Sequence, residues 1–297
     1  MRLLALLPFW RSVILSRLFL LGMGCLLLTG CGMVVELVER VDRSLSGSPH
    51  LLMGNPSDAT TTLSQPNNYL MTKSQFALSY NRDRGIPNWV SWQLNQAWLG
   101  TISRQNDFRP DPTLPKDWPV ITSADYRDKR YDRGHMTPSA DRSRSMEDNS
   151  ATFILTNVLP QASGNNRGPW SALEQYCRNL VSQGNELYII AGHVGQKERI
   201  GRAQLTVPSS VWKVVMVLPQ PDMQPGEVSA SIRVIAVNMP NVSSIAQQPW
   251  QRFVTTVDEI EDLTGYDLLS KVSVGVQRVL EAQMDLRSRS ELQRLTP

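Results

Sequence analysis

The sequence predicts an α+β domain built on a central antiparallel β-sheet flanked by helices. Three observations carry this. Short apolar runs with strand character recur along the chain. Helical periodicity is confined to a few segments, and the two kinds of segment interleave irregularly rather than alternating as βαβ units. The chain has 297 residues, 41% hydrophobic and 19% charged, which is enough to bury a full core.

The first strands are predicted at Phe76–Tyr80 and Trp89–Leu94. In the second, Val90, Trp92 and Leu94 alternate with Trp89, Ser91 and Gln93, the period of two expected of a half-buried strand. Asn81–Pro87 is the turn between them, and a polar, proline-punctuated loop covers Arg104–Pro119. Ala151–Leu159 is an apolar run read as the next strand, and Pro160–Gly168 as a loop of turn residues. Pro169 is placed to open a helix, where its missing N–H costs nothing. Trp170, Leu173, Cys177, Leu180 and Val181 share one face of that helix, so Cys177 is most simply a small buried side chain. Further strands are predicted at Leu187–Gly192, Val211–Leu218 and Ser231–Asn238. Thr256 and Glu259 form a capping-box pattern that Gly265 would end, and Val274–Leu295 reads as a terminal helix.

The N-terminus is an address rather than part of this fold. Arg2, Arg11 and Arg17 precede an apolar run, Leu18–Leu28, too short to span a bilayer comfortably and suited to the h-region of an export signal. It ends Leu28-Thr29-Gly30-Cys31, which resembles a bacterial lipobox. Residues 1–30 then form a lipoprotein-type signal peptide, with Cys31 lipidated and anchoring the chain to a membrane; an ordinary secretory signal and an uncleaved anchor are the other readings. All three imply export, to the cell envelope or the medium. Residues 31–68, rich in Ser, Thr, Pro, Asn and Gly, read as a tether and irregular edge, with His50 incidental. The globular domain is assigned to 69–297.

Composition narrows the function. A net charge of +3 permits a polyanionic partner without requiring one. With Cys25 and Cys31 in the N-terminal segment, Cys177 stands alone and no intramolecular disulfide can form in the folded part. No Cys or His cluster has zinc-ligand spacing, and no helix-turn-helix, zinc finger or heptad pattern offers a base-reading element.

Chemistry concentrates at Tyr131–Arg142, whose centre is Asp132-Arg133-Gly134-His135. An imidazole with an ordinary pKa of ~6.5 can take a proton from water slightly above neutral pH. Arg133 can hold a phosphate or pair with a carboxylate, and Asp132 can brace local structure. Asn157 stands at the end of the apolar run, and Asn166 just before the helix. With Trp170 at zero on a helical wheel, Glu174 falls at about 40° and Arg178 at about 80°, so Glu174 lies at the margin of the buried stripe. Asn166 offers a neutral amide oxygen, a suitable hard ligand for a mostly hydrated Mg²⁺. Each residue alone is commonplace at its position.

Together, the order Arg104, Asp132-Arg133-Gly134-His135, Asn157, Asn166, Glu174, Arg178 resembles the DNA/RNA non-specific endonucleases of the ββα-metal (His-Me finger) superfamily, most strongly the sugar-non-specific nucleases of cyanobacteria. The resemblance runs through YDRGHMTPSADR, TNVLPQ, NNRGPWSALEQYCR, VPSSVWKVV and TVDEIEDLTGYDLLS and covers roughly residues 52–271. It implies a ββα-metal catalytic motif in the sheet-and-helix fold, and a metal-dependent endonuclease acting on DNA and RNA. His135 would be the general base, and Asn166 the direct protein ligand of Mg²⁺, or Mn²⁺. Glu174 would hold metal-bound water. Arg104 would clamp the scissile phosphate, assisted by Arg178. Asn157 would position His135, and Arg133 would support. His193, after the strand Leu187–Gly192, matches no catalytic position and reads as an incidental loop residue. Three rival readings are a catalytically weak surface lipoprotein that binds nucleic acid, a metal-dependent phosphodiesterase or phosphatase acting on small substrates, and a structural surface lipoprotein; the single amide ligand argues against a two-metal phosphatase.

Overall fold

A computed structural model describes residues 47–288 and Ser290. The export-signal reading, Cys25 and Cys31 lie outside the described residues. No described helix is long and apolar enough to cross a membrane.

The framework is a seven-stranded antiparallel sheet. Its strands are β1 (Tyr69–Thr72), β2 (Ala77–Asn81), β3 (Ile86–Leu94), β6 (Glu186–Val194), β9 (Ser210–Leu218), β10 (Arg233–Pro240) and β11 (Val254–Thr255), in that spatial order. Two ribbons stand beside it: β4 (Tyr131–His135) with β5 (Val158–Ala162), and β7 (Glu198–Ile200) with β8 (Leu205–Val207). The helices are α1 (Met146–Ala151), α2 (Ser171–Ser182), α3 (Val257–Thr264) and α4 (Val274–Ala282).

Both faces of the sheet are covered, which is why the central strands read as near-continuous apolar runs. On β9, Val211, Val215 and Val217 join the core beneath α2, with Leu173 and Cys177. Trp212, Val214 and Met216 point the other way, to Val257, Ile260 and Leu280 of α3 and α4. The period of two therefore sorts one strand between two cores. Cys177 is free and buried, as its helical position implied.

Several boundaries differ from expectation, for local reasons. The β2–β3 turn is shorter than Asn81–Pro87: Gly85 takes φ +67° and closes it, so Ile86 and Pro87 already pair in the strand. Pro87 is tolerated because the register shifts there, between Ser79 and Tyr80. Ala151–Leu159 is not one strand. Ala151 ends α1, Leu155–Asn157 is a 3₁₀ turn, and only at Val158 does β5 begin. Pro160, Gln161 and Ala162, expected in a loop, are strand residues; Pro160 is accommodated in a two-stranded ribbon, where one edge needs no donor. Helix α2 starts at Ser171, because Pro169 lies in an irregular turn where Gly168 (φ −98°, ψ −114°) breaks the helical path. The terminal helix is interrupted after Ala282 and helical residues resume at Leu286; in the break Asp285 is held by the Arg233 guanidinium at 2.7 Å. At α3 the Thr256 side chain accepts from the Glu259 N–H and Gly265 adopts φ +73°, as the pattern implied, although the Glu259 carboxylate is taken by Thr255.

The tether is also shorter than expected, since the compact unit begins at Ser48. Met53 and Ala59 belong to the α3/α4 core. His50 is buried rather than incidental: its Nε2 faces the Ser74 carbonyl at 2.9 Å and its Nδ1 accepts from the Gln93 N–H at 3.2 Å. Small polar residues in this stretch satisfy buried backbone, as Asn55 does for Ala59 and Asn68 for Ser57.

Candidate active site

The stretch Asp132-Arg133-Gly134-His135 is a strand, and this decides where each side chain goes. On β4, Arg133 and His135 point to one side and Asp132 and Gly134 to the other. Gly134 must be glycine: an added Cβ would lie 2.2 Å from Gln161 Oε1 and 2.6 Å from Gln161 Cβ across the ribbon.

His135 is 7% exposed and sits in an aromatic slot. Its ring lies 5.0 Å from that of Phe108 and 4.8 Å, edge-on, from that of Phe153. Nε2 is buried with no hydrogen-bond partner among the described residues. Burial, then the nearby guanidiniums of Arg104 and Arg133, push its pKa down to about 3. The ring is therefore neutral at physiological pH and keeps a lone pair.

The two arginines are set by the same aromatics. The Arg104 guanidinium lies 4.9 Å from the Phe153 centroid, and Arg104 Nη1 donates to Ser139 Oγ at 3.2 Å. Arg133 stacks on Phe108 at 4.1 Å. Neither makes an ion pair among the described residues, so both guanidiniums are available to an anion.

Asn157 does not face the site. Its Oδ1 accepts from the Thr137 N–H at 3.0 Å, its Nδ2 donates to the carbonyls of Thr137 and Thr152, both at 2.9 Å, and its own carbonyl accepts from Met136 N–H. It is fully buried, and these hydrogen bonds clamp the backbone just beyond His135.

Asn166 stands in the turn before α2. Its Nδ2 donates to Asp132 Oδ2 at 3.0 Å. Asp132 also accepts from Arg167 Nε and Nη2, at 2.8 and 2.7 Å, and from Ser163 Oγ at 3.1 Å. Burial pushes the Asp132 pKa up, but these donors outweigh it and hold the group below the usual carboxylate range. Asp132 thus does more than brace its own turn: it fixes which end of the Asn166 amide is free. With the nitrogen committed to a carboxylate, Oδ1 is the polar atom left over. One neutral amide oxygen suits a cation that keeps most of its waters, so the donor set fits the implied Mg²⁺. Asp132→Ala should therefore raise the Mg²⁺ concentration for half-maximal activity about tenfold with the fold retained. A metal titration matching the wild type would remove Asp132 from this role.

Glu174 lies in the first turn of α2, 14% exposed at the side chain, with Oε1 3.6 Å from Lys213 Nζ. Burial and then Asp141 push its pKa up; Lys213 and Arg178 oppose them, and the net direction is upward. Arg178 is one turn on and donates to Asp141 Oδ1 at 2.8 Å. It is thus one half of a part-buried ion pair. Arg104 and Glu174 are close enough to influence one another electrostatically, which joins the helix side to the β4 side.

Four contributors escaped the sequence: Phe108, Phe153, Asp141 and Lys213. The phenylalanines carry no sequence signal beyond apolarity. Lys213 had one, a lysine inside the apolar run Val211–Leu218. His193, read as a loop residue, is on β6 and buried, with neither ring nitrogen hydrogen-bonded among the described residues. It borders a polar cavity of about 540 Å³, lined also by Asn88, Arg84 and Tyr266, that contains none of the residues gathered around His135.

Two antiparallel strands, a turn and a helix, with a histidine on the first strand and an asparagine at the turn before the helix, define a ββα-metal motif. The comparisons agree. The model of the DNA/RNA non-specific endonuclease family matches residues 54–275. A protein named "Nuclease" from Nostoc sp. (strain PCC 7120) is 50% identical over 268 residues, covering 89% of this chain and 97% of that one. "Nuclease EXOG, mitochondrial" from Danio rerio is 31% identical over 202 residues, covering 63% of this chain and 57% of its own length. Among solved structures, one of an EndoG/EndoGI complex superposes with a TM-score of 0.64 at 23% identity, covering 76% of this chain and 92% of that one, a likeness of fold. The chain belongs to the DNA/RNA non-specific endonuclease family and is an enzyme of the nuclease class.

Proposed function

We propose that this chain is a metal-dependent endonuclease that hydrolyses phosphodiester bonds in both DNA and RNA, with His135 as general base and Asn166 as the protein ligand of Mg²⁺ or Mn²⁺. The observation that carries this reading is the pairing of a buried, neutral histidine with two guanidiniums that make no ion pair among the described residues.

The residues divide the work. Arg104 and Arg133 receive the phosphate, since each is held over an aromatic ring and needs a counter-anion. A bound phosphodiester also changes the base. It neutralises two of the three influences that keep His135 from accepting a proton, so the ring becomes more basic when substrate arrives. Nε2 then takes the proton of the attacking water, which adds about 10²–10⁴-fold to the rate. Asn157 keeps the strand end still while this happens. The divalent cation, when bound by Asn166, supplies positive charge at the phosphate and leaving oxygen. These contacts run to the phosphate, so binding is sequence-tolerant.

The deciding experiment incubates purified protein with supercoiled plasmid and with ribosomal RNA, with Mg²⁺ or with excess EDTA. Both polymers should be degraded with Mg²⁺ and preserved with EDTA. Intact plasmid and RNA at millimolar Mg²⁺ and Mn²⁺ would overturn the proposal; cleavage that persists in EDTA would overturn its metal dependence.

A further inference from the structure

Lys213 is a charge in a place that does not suit one. It stands on β9 between Trp212 and Val214, and its side chain is 1% exposed. Nζ lies 4.1 Å from the Trp170 centroid and 5.5 Å from that of Trp92. Its ion-pair partner among the described residues is Glu174, at 3.6 Å. Burying an ammonium is costly unless it is compensated, and an apolar side chain of similar volume would fill the space as well. Packing therefore does not explain the lysine.

The charges around Glu174 do. Lys213 faces it from β9, Arg178 from its own helix, Asp141 from the turn after β4, and Arg104 from the long loop before β4. Asp141 already takes Arg178 at 2.8 Å and the Trp92 Nε1–H at 3.1 Å. Arg104 donates to Ser139. Arg178 is thus committed to Asp141, and Lys213 is the cation in ion-pair contact with Glu174. Without it, Glu174 would sit unpaired beside Asp141 in a poorly solvated place, where a carboxylate takes up a proton.

We propose that Lys213 is a positioning residue for hydrolysis: from beneath the helix, its ammonium keeps Glu174 ionised and held in one place, so that Glu174 meets the site as a charged acceptor. This rests on the nuclease reading of the site.

The test is a cycle of Lys213→Met, Glu174→Gln and the double variant in the full chain. At neutral pH, Lys213→Met should lower kcat on DNA about tenfold or more with KM nearly unchanged. The acid limb of its kcat profile should move up by about one pH unit or more, the counterpart of a tenfold change, with activity recovering in alkaline buffer. The double variant should be no slower than Glu174→Gln alone. In metal-free protein, urea unfolding should show Lys213→Met destabilised and the double variant restored. If Lys213→Met does not fold, the double variant carries the test, since it removes both members of the pair and should fold. An unmoved acid limb with additive effects, or a double variant no better folded than Lys213→Met, would overturn the proposal. If the wild-type chain cleaves nothing, the nuclease reading fails, whereas the unfolding cycle still decides the pairing.

Discussion

His135→Ala should lower the rate of DNA and RNA hydrolysis by about 10²–10⁴-fold, the usual worth of a general base, while leaving the chain folded. The loss falls on kcat because the phosphate-receiving groups stay: Arg104 is held over Phe153 and by Ser139, and Arg133 by Phe108, none of which needs the imidazole. The strand survives because β4 is laddered to β5 from Tyr131 to His135 and its end is clamped by Asn157. Emptying the aromatic slot leaves a cavity, and a cost of roughly 2–4 kcal/mol is in range for a buried ring cut to alanine. Activity and urea unfolding must therefore be measured on the same preparation. Near-wild-type turnover in a folded variant would sink the assignment. A drop in rate matched by lost structure would show only that the slot was filled.

Steep acid destabilisation between pH 6.5 and 4 is the second expected result, and it comes from all three histidines at once. His50 is satisfied only as a neutral ring, giving a proton to the Ser74 carbonyl and accepting one from the Gln93 N–H. Burial, then Arg142, lowers its pKa to about 4. Burial and neighbouring arginines bring His135 and His193 to about 3. In the unfolded chain each titrates near ~6.5. Above that value both states are neutral and stability is complete. Below it the unfolded chain binds protons that the fold refuses, so stability falls with pH. Three protons correspond to about 4 kcal/mol per pH unit. Buried carboxyls oppose this: Glu281 is pushed up to about 7 by burial and by Glu261, and Glu174 is also raised, so the folded state gains protons there. Glu281 offsets one of the three protons and the raised Glu174 and Glu261 offset more, so the net slope stays below about 3 kcal/mol per pH unit, still large against a total stability of ~5–15 kcal/mol. Urea midpoints at pH 7.5, 6.5, 5.5 and 4.5 check it, and a flat series would refute it. His193→Leu, which removes two ring nitrogens that have no hydrogen bond among the described residues, should lessen the slope by about one proton.

Much of the scaffold was legible because its signals are local. The β3 alternation of Trp89–Leu94, the apolar run of β9, the stripe of Leu173 and Cys177 on α2, and the Thr256 and Gly265 caps each follow from a few adjacent residues. The failures were also local in cause. Ala151–Leu159 looked like one strand because apolarity cannot separate a 3₁₀ turn from a strand, and the tether looked longer because Asn and Ser satisfy buried backbone as readily as they line loops. Within the candidate site, residue types could be picked out and partners could not. Asp132, Arg133 and His135 are neighbours in the chain, but a strand sends Asp132 to Asn166 and the other two to Phe108. Arg178 and Glu174 share a helix face as predicted, yet one is paired inward to Asp141 and the other faces Lys213 from a different strand.

By itself, the sequence determined the class of fold through periodicity, the family through a resemblance that runs along most of the chain, and the set of groups able to do phosphodiester chemistry through residue type. Only the tertiary structure decided which of them are neutral, which are paired and which stay free. Those properties come from burial and from charges brought together across distant strands, and no local pattern encodes either.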